Sequence, residues 1–187
     1  MDDGGMDLEK FKIKNIKQVQ SITNQLVHSL ALAEECIQFE HRDLHLGNIL
    51  IKETKEEKYF FNGEAFDFDG IQCNIIDYSL SRMRDGSEIV FRDLDTIGWL
   101  FEGDPKIDSQ YQVYKDILES KGSKSWKEFN PRSNVLWLSF VVGRLLQNNK
   151  AVKHPKRLYE NLNNFQKRIL EYSSVQKLKS EDEFFKK

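Results

Sequence analysis

Cysteine and proline are both scarce in this 187-residue chain, and each scarcity narrows what the chain can be. Two cysteines, Cys36 and Cys73, cannot build a disulfide framework. Cys73 falls in an apolar strand pattern, which reads as a buried thiol in a reducing compartment. There are three prolines, and two of them, Pro131 and Pro155, stand where helices are expected to start. No apolar run approaches the roughly 18 residues needed to span a bilayer. The acidic, Gly-rich opening Met1-Asp2-Asp3-Gly4-Gly5 is the opposite of a signal peptide. Internal repeats, low-complexity tracts and a compelling basic targeting run are also missing. What remains is 39% hydrophobic and 31% charged, which reads as one soluble, globular domain.

The formal net charge of −2 conceals an asymmetry. Residues 64–119 hold 13 acidic side chains against 5 lysines and arginines, and residues 144–187 hold 11 basic against 5 acidic. An acidic middle favours a basic partner, although a solvated loop with scattered acids gives the same count.

Apolar residues Ile16, Val19, Ile22, Leu26, Leu30 and Ala33 recur at helical spacing and predict an amphipathic helix over 15–35. A polar loop over 39–48 follows. Residues 48–51 and 58–61 then read as two short strands, joined through a turn at 53–57, with Asn62-Gly63 as a second turn signal. Residues 73–77 form an apolar strand ending on a carboxylate. Residues 79–108 lack sustained periodicity and read as a long loop with short helical pieces. Helices are predicted over 111–120, 132–147 and 156–173. The middle one is apolar nearly all round, the mark of a buried central helix. Residues 179–187 read as a frayed tail. The fold class is therefore α+β, mainly α.

The chemistry concentrates in His41-Arg42-Asp43-Leu44-His45-Leu46-Gly47-Asn48, placed after a long helix and before a strand. Asp77-Tyr78-Ser79 follows at the end of the next apolar strand. A lone H-R-D is weak, but H-R-D-x-x-x-x-N with a later D-F-G-like triplet belongs to the kinase signature set. Phosphoryl transfer asks little covalent chemistry of a protein: it needs an aligned hydroxyl and a neutralised phosphate. Asp43 would accept or orient the hydroxyl proton. Asn48 and Asp77 would hold Mg²⁺, a hard ion that takes oxygen ligands and keeps bonds to phosphate.

With Ile76-Asp77-Tyr78-Ser79-Leu80-Ser81-Arg82, Asn134-Val135-Leu136-Trp137-Leu138 and Gly4-Gly5-Met6-Asp7-Leu8-Glu9, the catalytic run resembles the haspin family of serine/threonine protein kinases over residues 3–178. The Asp-Tyr-Ser triplet and the lack of Ala-Pro-Glu fit that family. The resemblance implies a protein-kinase C-terminal lobe across 1–187: hinge and following segment at 1–9, catalytic loop and strand at 39–52, metal-binding Asp and activation segment at 73–109, and a helical subdomain at 110–178. It implies ATP as cofactor with Mg²⁺. Asp3, Gly4 and Gly5 would lie beside adenine, Asp7 at the ribose, and Leu50 and Ile76 under the base. Leu50 and Ile76 also read as ordinary core residues, and Asp7 as a helix-start acid.

The resemblance further implies a basic protein tail as partner: the N-terminal tail of histone H-three in mitotic chromatin, phosphorylated on a threonine near its amino end. Glu9, His45, Asp93 and Asp95 would meet that tail, although His45 reads more readily as a hydrogen-bonding residue within its own loop. The family's Asp-x-Asp before Leu-Phe is replaced by Ile97-Gly98-Trp99 here. A monomer that binds neither membrane nor nucleic acid directly is expected, in the nucleus and on chromosomes with a cytoplasmic pool. Ser79, where most kinases have glycine, predicts a triplet held in one conformation. No Gly-rich loop and no strand lysine precede the hinge, so the N-terminal lobe is expected to be absent and turnover by the chain alone weak. Two other readings remain: a small-molecule phosphotransferase with an H-x-D-x-x-x-x-N loop, and a non-catalytic acidic module for basic tails.

Overall fold

The computed structural model describes residues 4–150, 152 and 155–186. Helix α1 (Ile16–Ile37) starts where Asn15 accepts a hydrogen bond from the Gln18 N–H at 3.1 Å and stops at Gln38, in left-handed backbone with φ 48°. Such an N-cap is worth about 1 kcal/mol. The helix buries Ile16, Val19, Ile22, Leu26 and Leu30, as their spacing predicts. It also buries a polar stripe, Gln18, Ser21 and Gln25.

That stripe holds a strand. β1 (Met6–Asp7), β2 (Ile49–Glu53) and β5 (Ile71–Ile75) form an antiparallel sheet in the order β1-β2-β5. Gln25 donates to the Ile71 carbonyl at 3.0 Å and accepts from the Cys73 N–H at 2.8 Å, and the Ser21 hydroxyl donates to the Phe68 carbonyl at 2.9 Å. β5, the strand that leads to Asp77, is thereby set against α1.

β2 does not form a hairpin with the strand that follows it, as the turn at 53–57 predicts. β3 (Lys58–Phe61) closes instead on β4 (Glu64–Asp67) around Asn62-Gly63, both with positive φ, while β2 takes β5 as partner. Asn-Gly is the stronger two-residue hairpin signal. The region read as a loop contains a second hairpin, β6 (Arg82–Asp85) with β7 (Glu88–Phe91), before the single turn of α2 (Trp99–Glu102).

Helices α3 (Gln110–Lys121) and α4 (Arg132–Asn148) match their predicted spans closely, and α4 is the central helix, with Val135, Trp137, Leu138, Val141 and Val142 all buried. The predicted last helix, 156–173, is α5 (Lys156–Arg168) followed by a tight turn, and a further helix that was not predicted, α6 (Val175–Glu181), follows with Ser174 as its cap. The residues beyond it are not frayed through 186. Phe184 stacks on Phe165 with ring centroids 4.4 Å apart, and buried Asp182 takes both arms of the Arg168 guanidinium at 2.9 and 2.8 Å. No helix among the described residues is long and apolar enough to cross a membrane.

Candidate active site

The loop between α1 and β2 is fixed from beneath. Arg42 adopts left-handed backbone, φ 67°, and only 1% of it is exposed. Its guanidinium forms a fork with Glu40, two bonds of 3.1 Å, and donates to the Trp126 carbonyl at 2.7 Å and the Arg92 carbonyl at 3.3 Å. Glu40 in turn accepts from the Asn130 N–H at 2.8 Å and the Ser133 hydroxyl at 3.0 Å. Asn134 of α4 reaches the same loop. Its amide oxygen accepts the His41 N–H at 3.0 Å, and its amide nitrogen donates to the Phe39 carbonyl at 2.8 Å and to Glu34 at 3.0 Å.

His41 joins the loop to the strand that carries Asp77. Its Nε2 lies 2.9 Å from the Ile76 carbonyl and its Nδ1 accepts the Asp43 N–H at 3.3 Å, so the proton sits on Nε2. Burial first of all holds His41 down to about 4, which keeps it neutral. The Ile76 N–H donates to the Asn48 carbonyl at 3.0 Å, so both ends of the loop grip residue 76.

This frame carries Asp43, Asn48 and Asp77. Asp43 is largely buried, and burial raises its carboxyl above the ordinary range, opposed by hydrogen bonds from Tyr114 and Asn48 and assisted by the negative charge of Asp77. The Tyr114 hydroxyl donates to Asp43 Oδ1. The Asn48 amide nitrogen donates to the Asp43 carbonyl at 2.8 Å and to Oδ2 at 3.3 Å, which turns its oxygen, a hard donor, away from Asp43. Asp77 is exposed and left-handed, φ 58°. Hydrogen bonds from Ser79, the hydroxyl first and then the N–H at 3.1 Å, hold its carboxyl below the usual range.

One amide oxygen and one ionised carboxylate fit Mg²⁺, which is commonly held by one or two protein groups with phosphate and water completing the shell. Among the described residues there is no group of three or more His, Cys, Asp or Glu that could cage a metal unaided.

Of the other predicted residues, Asp3 lies outside the described residues. Gly4 faces Leu50: a Cβ on Gly4 would come within 2.7 Å of Leu50 Cδ1. Gly5, φ 99°, passes so close to β2 that a Cβ would lie 2.2 Å from the Ile51 carbonyl oxygen, which only glycine allows. Ile76 is half-buried. Asp7 accepts from the Lys10 N–H at 3.0 Å and Nζ at 2.9 Å, so it starts no helix; Asn15 caps α1. Glu9 is exposed in the turn after β1.

His45 Nδ1 accepts the Gly47 N–H at 3.1 Å, and its Nε2 is 3.9 Å from Asp43 Oδ1. Asp93 and Asp95 are both exposed, but each also has a partner within the chain. Asp93 caps a turn by accepting the Asp95 N–H, and Asp95 accepts from Trp126 Nε1 at 2.7 Å.

Glu40, Tyr114 and Trp126 were not read from the sequence as parts of this site. Asn134 lies in the Asn-Val-Leu-Trp-Leu run, so a signal for it was present. Tyr114 has none, because its hydroxyl finds Asp43 across 71 positions of chain.

The haspin-like kinase domain profile matches residues 1–187. The serine/threonine-protein kinase haspin of Mus musculus is 36% identical over 98% of this chain and 25% of its own length. The haspin homolog of Arabidopsis thaliana is 35% identical over 99% of this chain and 31% of its own length. The homolog of Schizosaccharomyces pombe is 34% identical over 78% of this chain. The chain thus spans about a quarter to a third of these curated relatives. With the profile matched from end to end, this chain belongs to the haspin-like kinase domain family.

Proposed function

We propose that the chain is the catalytic lobe of an ATP-dependent serine/threonine protein kinase, acting as a monomer on a threonine near the start of the basic N-terminal tail of histone H-three in mitotic chromatin. The observation that carries this reading is the hydrogen-bonded frame that carries Asp43, Asn48 and Asp77, in which residue 76 is bonded to both His41 and Asn48. The names of the relatives, serine/threonine-protein kinases, supply the acceptor class, a protein serine or threonine. The excess of acid over residues 64–119 supports a basic partner. A nuclear, chromosome-associated location with a cytoplasmic pool follows from that substrate.

In this reading Asp43 accepts a hydrogen bond from the incoming hydroxyl and holds the oxygen in line with the γ-phosphate. Asn48 and Asp77 would hold Mg²⁺, which would neutralise charge on the ATP phosphates. Gly4, Gly5 and Leu50 offer backbone and an apolar wall to adenine. Asp7 would meet the ribose only by exchanging its bond to Lys10. Glu9, His45, Asp93 and Asp95 would meet the tail.

The test uses protein expressed from its complete coding sequence, with Mg²⁺-ATP and a peptide of the histone tail. Labelled phosphate is expected on the threonine, with a loss of about 10²- to 10⁴-fold in kcat for Asp43→Asn. Tail binding that ignores nucleotide, with no transfer, would replace the enzyme by an acidic binding module. Transfer to a small alcohol instead of the peptide would reassign the substrate.

A further inference from the structure

We propose that Tyr114 is a positioning residue for this reaction: its hydroxyl, donated to Asp43 Oδ1, holds the carboxylate with Oδ2 turned to the incoming alcohol. The inference rests on the reading of Asp43 given above and concerns a residue outside the kinase motifs.

The two oxygens of Asp43 are not equivalent. Oδ1 receives the Tyr114 hydroxyl and has the His45 ring 3.9 Å away. Oδ2 has one long contact, 3.3 Å to the Asn48 amide nitrogen, whose shorter bond of 2.8 Å goes to the Asp43 backbone carbonyl. Among the described residues Oδ2 therefore keeps the freer lone pairs, and it lies on the side of Asn48.

The anchor itself is rigid. Tyr114 is 4% exposed, and its ring meets Trp137 of the central helix edge-to-face with centroids 5.2 Å apart. Trp137 is fully buried. A phenol has two side-chain torsions, and here the core fixes both. The terminal torsion of an aspartate is broad and nearly two-fold. Without the phenol, the long Asn48 contact would be the main restraint on it. A small misplacement of a reacting group can cost as much as about a hundredfold in rate.

Tyr114→Phe removes the donor and keeps the ring in the core. In the full-length protein it is expected to lower kcat about tenfold and leave the KM for ATP and the melting temperature nearly unchanged. In an Asp43→Asn background the same change is expected to add little. An unchanged kcat overturns the proposal. So does a raised kcat, which would make the phenol a competitor of the substrate. A loss equal to that of melting stability would also overturn it, since it would reduce Tyr114 to a core residue.

Full activity in Asp43→Asn alone would instead bring down the reading of Asp43. Crystal structures of the wild type and Tyr114→Phe examine the carboxylate without any turnover. A rotated or split Asp43 supports the proposal, and an unaltered one overturns it.

Discussion

Arg42 joins two costs that the rest of the loop offsets. Left-handed backbone at a non-glycine residue costs on the order of 1–3 kcal/mol, and an unpaired buried guanidinium would cost more. Glu40 answers both with a two-pronged pair and is itself held by Asn130 and Ser133. Glu40→Ala is expected to destabilise by about 3–5 kcal/mol, because it strands a buried charge. Urea denaturation measures this, and a loss below about 1 kcal/mol would contradict it. Gly47 has a steric reason: a Cβ there would lie 2.9 Å from the His45 ring. Gly47→Ala should displace that ring and lower kcat with little change in fold, read by kinetics beside circular dichroism.

The sequence singles out Asp43, Asn48 and Asp77 as candidates because their spacing follows a motif. Glu40 was not, since it reads as an ordinary polar residue until residues 130 and 133 are folded against it.

Periodicity was a good guide to elements wherever apolar side chains face inward. It located α1, α3 and α4 to within one or two residues. It failed for β6 because the side chain buried there is Arg82, 1% exposed, while Met83 beside it is 38% exposed. That strand is polar inside and apolar outside, the reverse of the pattern that marks a strand. The Arg82 guanidinium donates to the Gln38 carbonyl at 2.7 Å and the Lys127 carbonyl at 3.1 Å, which makes its burial tolerable.

The pairing of β2 was misread for a related reason: what selects β5 is a polar stripe on a helix far from it in sequence. Gln25→Leu would leave the Ile71 carbonyl and the Cys73 N–H without their partner. A loss of roughly 2 kcal/mol is expected, with faster hydrogen exchange at the Cys73 amide. An unchanged exchange rate would mean that the sheet alone holds β5.

Across the whole molecule, the chain's far end is tied to its first helix through His28. That ring stacks on Phe61 at 4.3 Å and meets Phe66 edge-on at 4.2 Å, with Phe185 at 5.8 Å. Burial first, then the charge of Lys179, lowers His28 to about 4. Its folded value thus lies below the unfolded value of 6.5, so the unfolded chain binds more protons between the two. Stability is present above about pH 6.5 and is lost as pH falls toward 4, by at most about 1.4 kcal/mol per pH unit for this one group. Melting curves of wild type and His28→Gln across that window should converge at the acid end. Parallel curves would refute the assignment.

The closing of β5 by side chains has another consequence, for how copies of this chain meet. β5 is the last strand of its sheet, and a terminal strand is an invitation to a foreign one. Here the outward Ile71 carbonyl and Cys73 N–H are taken by Gln25, and the Ile75 carbonyl by the Tyr78 hydroxyl at 2.6 Å. An intruding strand would have to compete with Gln25 and Tyr78 for these groups, which blunts this border against strand exchange between neighbouring copies.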